Sequence, residues 1–161
     1  MLEVLLALAH PLRWSTAMKL ILALVAVSAC TSSDPSPREV LGPPQQHVAI
    51  PEHPNFTLYV SNQSFDIPTV DIEIQIDGQP VITGDFAVEG QHSWFPFLFE
   101  LAPGAAHTVE VTANGGATQI VDTALIGDAY DYAIVSFWSA DETSATPHVD
   151  YLFLDDEPAF Q

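Results

Sequence analysis

The chain has 161 residues, 48% of them hydrophobic and 15% charged, and a formal net charge of −18. The charge is 21 Asp and Glu against three Lys and Arg, and between Asn55 and Gln161 there are 17 acids and no Lys or Arg. Without cations to displace phosphate counterions the chain excludes a nucleic-acid binder, and with no basic patch it excludes docking to an anionic membrane surface. A single cysteine excludes an internal disulfide framework and any zinc site built from four thiolates.

In chain order, the first feature is an address. Residues Met18–Cys30 read MKLILALVAVSAC, a basic residue, an apolar run, small residues and then cysteine. This is the n-region, h-region and cleavage pattern of a secretory signal, and Leu20–Val27 is too short to span a bilayer as a helix. Residues 1–29 are therefore read as signal peptide. Met1–Ala17 adds a second apolar run and the breaker Pro11, so Met18 is the candidate true start. Residues 31–54 carry Pro35, Pro37, Pro43, Pro44, Pro51 and Pro54 among Ser and Gln, the composition of an extended, semi-rigid spacer. Only Val48-Ala49-Ile50 offers a short edge strand there.

From Asn55 to Gln161 the chain reads as short strands with polar turns. Phe56–Val60 alternates, and Ser61-Asn62-Gln63-Ser64 is expected to end it. Val70, Ile72, Ile74 and Ile76 alternate with Asp71, Glu73 and Gln75, the period-two signature of a strand with one wet face. Asp77-Gly78 supplies the left-handed backbone of a tight hairpin, and Gly84-Asp85 suggests a bulge in the return strand. Glu89–His92 makes the next turn. Trp94–Leu101 places Phe95, Phe97, Phe99 and Leu101 on one face, and Pro96 points to a sheet edge. Strands at His107–Val111, Thr118–Ile126, Tyr130–Trp138 and Val149–Leu154 follow, separated by Asn114-Gly115-Gly116 and Gly127-Asp128. No segment after Cys30 has an apolar 3.6-residue period. The predicted fold class is all-β: an antiparallel two-sheet sandwich of seven to eight strands.

Two resemblances sharpen this reading. Val27-Ser28-Ala29-Cys30 resembles a bacterial lipobox. The likeness implies diacylation of Cys30, cleavage after Ala29, and a lipoprotein with palmitate-type chains, exported to a bacterial cell envelope and held at a membrane by its lipid. Leu101-Ala102-Pro103-Gly104-Ala105-Ala106-His107-Thr108-Val109-Glu110-Val111 resembles the corner found in bacterial immunoglobulin-like and fibronectin-like modules, with one extra alanine and His107 where tyrosine is often found. That likeness implies a binding or structural domain with an envelope protein or glycan as partner.

No chemistry stands out. There is no G-x-S-x-G nucleophile motif and no Gly-rich phosphate cradle, and the reading is not an enzyme. His92, His107 and His148 lack metal-ligand spacing, and His148-Val149-Asp150 is more simply a solvated strand end. Asp128 and Asp131, with Asp141 and Glu142 nearby, and the run Asp155-Asp156-Glu157 are candidate oxygen ligands for calcium, the one cofactor open to this sequence. A diffuse solvated rim is the plainer explanation of those acids. Trp94 and Trp138 are candidate platforms for a ligand, with Tyr130, Tyr132 and Tyr151 as further aromatics. Behind the lipoprotein binding module stand two other readings, a calcium-binding acidic module and a small envelope hydrolase using a carboxylate pair.

Overall fold

The first strand among the described residues is Gln45–Gln46 (β1), within the stretch whose prolines predicted a spacer. The strands that follow are β2 (Phe56–Asn62), β3 (Thr69–Ile76), β4 (Gln79–Ala87), β5 (Phe95–Phe99), β6 (Ala106–Ala113), β7 (Thr118–Leu125), β8 (Tyr132–Trp138) and β9 (His148–Leu154). The structure, a computed structural model, describes residues 40–88, 93–126, 129–140 and 144–160. Among them there is no helix.

The strands form two sheets, one in the order β1-β4-β3-β6-β7 and one in the order β5-β2-β8-β9. Apolar side chains of both make one core, from Val70, Ile72, Ile74, Ile82, Phe86, Val109 and Val111 on the first sheet to Leu58, Val60, Phe97, Val135 and Phe137 on the second. Phe86 crosses between them, its ring edge-on to Phe95 at 5.7 Å and Phe97 at 6.4 Å. Each fully buried side chain of this size contributes about 1.5–3 kcal/mol, so the core carries the fold.

The fold is the expected all-β two-sheet sandwich, with two differences in detail. Among the described residues there are nine strands, the extra one being β1. The sandwich is antiparallel except at its centre, where β2 and β8 run parallel with Thr57 opposite Tyr132 and Asn62 opposite Phe137. In immunoglobulin domains strands A, B, E and D form one sheet and C, F and G the other. Here successive β3 and β4 form a hairpin within one sheet, as strands C and C′ of variable-type domains do.

Turn chemistry follows the sequence closely at the β3–β4 hairpin. Asp77 (φ 51°) and Gly78 (φ 74°) both take the left-handed backbone that a two-residue turn requires. The bulge lies elsewhere than expected: Ile74 pairs with Ile82 and Gln75 with Pro80, leaving Val81 as the extra residue. Gly84 and Asp85 pair without interruption. Their role is to receive the segment before β1. A Cβ on Gly84 would lie 2.4 Å from Pro44 Cα, so only glycine lets that backbone pass. The Asp85 N–H donates to Gly42 O at 2.6 Å, and Gly42 N–H donates to Asp85 Oδ2 at 3.0 Å.

The spacer reading therefore fails for its last part. Residues 40–54 belong to the same compact unit as the strands. Gln46 also bridges the two sheets: its Nε2 donates to Leu98 O at 2.9 Å, and its Oε1 accepts from Leu98 N–H at 3.3 Å. A side-chain amide thus pairs with the open edge of β5, the edge that Pro96 predicted. Asn55 does the same for Leu101, donating and accepting at 2.8 Å.

Ser61–Ser64 is a second correction. β2 continues to Asn62, and all four polar residues are buried. Asn62 Nδ2 donates to Ile67 O at 2.8 Å and Phe86 O at 3.1 Å, while its Oδ1 accepts from Ser64 N–H at 2.9 Å. Ser64 Oγ accepts from Ile67 N–H, and Gln63 Nε2 bonds Ser61 Oγ. These side chains satisfy backbone groups at the end of the sandwich. Burial without such partners would cost on the order of 1–3 kcal/mol per group.

Candidate functional site

Strand alternation sorts the second sheet into two faces. Phe56, Leu58, Val60, Phe97, Phe99, Ala133, Val135 and Phe137 point into the core. The opposite residues, Tyr59, Ser61, Ile134, Ser136 and Trp138, form an outer face, with Leu152 beyond them on β9. Trp94, just before β5, stacks on Phe160 with ring centroids 4.8 Å apart and an interplanar angle of 20°. Phe160 in turn meets Tyr59 edge-on at 5.0 Å and 70°. Trp94 and Trp138 are both half-buried, and no ring contact joins them among the described residues. Each has an indole N–H that is buried and lacks an acceptor.

The other aromatics serve packing. Tyr130 stacks on Phe153 at 5.3 Å and Tyr151 meets Phe153 edge-on at 4.6 Å, all against the core. Burial, with the charge of Asp122 adding to it, pushes the Tyr151 hydroxyl well above its ordinary pKa, so it stays protonated.

The acids separate into three situations. Asp131 precedes β8, where its carbonyl accepts from Thr57 N–H at 2.9 Å and its N–H donates to Leu154 O at 3.1 Å. Pairing of Tyr132 with Leu154 places Asp131 and Asp155 at the same end of β8–β9. Asp155, Asp156 and Glu157 are exposed, and Glu157 Oε1 accepts from the Tyr59 hydroxyl at 3.3 Å. Among the described residues no three His, Cys, Asp or Glu side chains converge to hold a metal ion. Asp128, Asp141 and Glu142 lie outside the described residues, as do His92 and Cys30. His148 and Asp150 do share a strand face, with Nε2 and Oδ1 3.8 Å apart.

No local pattern in the sequence announces a further feature, among the described residues, that suits a ligand. At the β3–β4 turn end, a cleft of about 480 Å³ opens between the two sheets. Ile76, Val81 and Phe99 form its apolar floor, Val48, Ala49 and Pro51 one wall, and Asp77 and Glu100 two acidic points on its rim. Its size and apolar lining are those of a small-molecule site. Local reading missed it because three segments, far apart in sequence, each supply one side.

Behind the rim, Asp77 ties the hairpin to β6. Its Oδ1 accepts from Thr108 N–H at 2.9 Å, and its Oδ2 lies 2.7 Å from His107 Nδ1. His107 Nε2 lies 3.0 Å from Ala102 O, so the imidazole, buried in the Leu101–Val111 corner, pins that corner to the hairpin. The His107 hydrogen bond, followed by that from Thr108 N–H, holds the Asp77 carboxyl below its ordinary 3.8. Burial pulls the His107 imidazolium down, but the bonds to Asp77 and Ala102 together with the Asp77 charge outweigh it, and its pKa rises above 6.5.

The two signs define a window. Stabilisation from His107 is complete below its unfolded pKa near 6.5 and is lost as pH rises through the raised folded value. Stabilisation from Asp77 is present above about 3.8 and is lost as pH falls through the lowered folded value. The pair is expected to stabilise most between roughly pH 4 and 6.5, by less than about 1 kcal/mol because Asp77 is half exposed. Melting temperatures of wild type and His107→Gln across pH 5–8 check this. The wild type should lose more on going from pH 6 to 8 than the variant, and parallel curves would refute the coupling.

No protein-family model, curated protein or solved structure matches this chain.

Proposed function

We propose that the chain is an exported bacterial lipoprotein, held at an envelope membrane through acylated Cys30, whose sandwich is a non-catalytic binding module. The lipobox-like ending and the placement of the sole cysteine at its last position support the anchor. The cleft over Ile76, Val81 and Phe99 supports the binding role, and it is the observation on which that role rests. An apolar floor with Asp77 and Glu100 at the mouth suits an apolar ligand that is neutral or carries a cation. An anionic one would meet the field of a domain with 17 acids and no Lys or Arg.

A neutral apolar dye tests the cleft without fixing the native ligand. Nile red is expected to bind the wild type saturably, with a rise in emission. Ala49→Trp, at the wall of the cleft, fills it without altering the core beneath, and should lower dye affinity about tenfold or more while leaving the melting temperature nearly unchanged. Equal dye binding by both proteins would end this reading of the cleft.

A further inference from the structure

We propose that the slot between Trp94 and Tyr59 is a binding site for an aromatic side chain of a basic polypeptide segment, and that Phe160 occupies it in cis. The slot has two complementary walls. Trp94 presents a flat face, on which Phe160 stacks at 4.8 Å, and Tyr59 presents an edge-on contact at 5.0 Å. Offset stacking on one side and a T-shaped contact on the other are the two arrangements an aromatic quadrupole favours. An aromatic ring therefore fits both walls at once.

The cis occupant is held lightly. Phe160 keeps 38% of its surface exposed. Among the described residues no backbone hydrogen bond ties residues 155–160 to either sheet, and the polar contact of the segment is the 3.3 Å bond from the Tyr59 hydroxyl to Glu157. Segments with few buried contacts and solvated backbone open at low free energy. With Phe160 in place, the Trp94 N–H is also buried without an acceptor.

Charge selects the competitor. Asp155, Asp156 and Glu157 bring three negative charges to a domain that has no Lys or Arg from Asn55 onward. A segment offering the same ring with basic flanks exchanges that repulsion for attraction, and the acidic surface speeds its approach. None of the residues of this slot lines the cleft at the β3–β4 turn, so the two sites stand or fall separately.

The test uses the full chain and a heptapeptide with the order of residues 155–161, three lysines replacing Asp155, Asp156 and Glu157. Calorimetry and tryptophan emission are read at low and high salt. The peptide is expected to bind Phe160→Ala about tenfold or more tightly than wild type, because the ring no longer competes. A peptide with alanine for its phenylalanine should lose that advantage, and so should the double variant Phe160→Ala, Trp94→Leu. The ringless peptide keeps the test decisive if Trp94→Leu does not fold. Equal binding of both peptides would reduce the effect to bulk attraction and overturn the site. Equal affinity for wild type and Phe160→Ala would overturn the role of Phe160. Binding of cellohexaose to Phe160→Ala, without binding of the peptide, would assign the slot to glycans instead.

Discussion

Replacing Cys30 with serine is expected to abolish acylation and to move the protein from the membrane fraction to a soluble or uncleaved form. The size of the effect follows from chain length. Each buried methylene contributes about 0.8 kcal/mol, so one acyl chain gives marginal, reversible binding and two give stable anchoring. From Asn55 onward the chain has no Lys or Arg to meet anionic lipid, and no helix among the described residues is long and apolar enough to cross a membrane. Serine removes the thiol on which the proposed anchor depends. Mass spectrometry of the mature N-terminus with membrane fractionation checks the result. Fully soluble wild type with an unmodified N-terminus would refute the anchor.

Phe86→Ala is the substitution expected to cost the fold most. Its ring is fully buried, sits between the sheets, and contacts Phe95 and Phe97 edge-on. Truncating a buried phenylalanine costs about 3–5 kcal/mol, from lost burial and from the cavity left behind. Domains of this size are stable by roughly 5–15 kcal/mol, so a large share of the total is removed. The melting temperature should fall on the order of 10–20 °C. Val121→Ala on the edge strand β7, at a side chain 55% exposed, is the control and should change stability by less than about 0.5 kcal/mol. A comparable fall in the control would show that Phe86 is not the keystone described here.

Much of the fold was legible where one residue's environment decides its structure. Val70–Ile76 alternates because one face is buried, and Asp77-Gly78 turns because both residues accept positive φ. Pro96 lacks an N–H and marks an edge, as β5 proves to be. The failures share a different cause. Ser61–Ser64 resembles a solvent turn in composition, yet distant partners such as Phe86 O and Phe137 O make its burial tolerable. Gly84 resembles a bulge, yet its missing side chain admits Pro44 from forty residues earlier. Of the candidate site residues, Trp94 gained a partner in Phe160 that no local pattern announced. Asp131, Asp155, Asp156 and Glu157 gained no common centre.

The sequence by itself determined the acidity, the all-β class and the positions of most strands and turns. These depend on side-chain type, alternation and backbone preference over a few residues. The tertiary structure decided strand order, the parallel pairing of β2 with β8, the docking of Gly42–Gln46, the cleft beneath Ala49 and the slot that Phe160 fills. Most of these join segments distant in sequence, and their free energy arises from packing and hydrogen bonding that exist only once both segments are in place. Periodicity reports which face of a strand is dry, but it carries no information about which strand lies beside it.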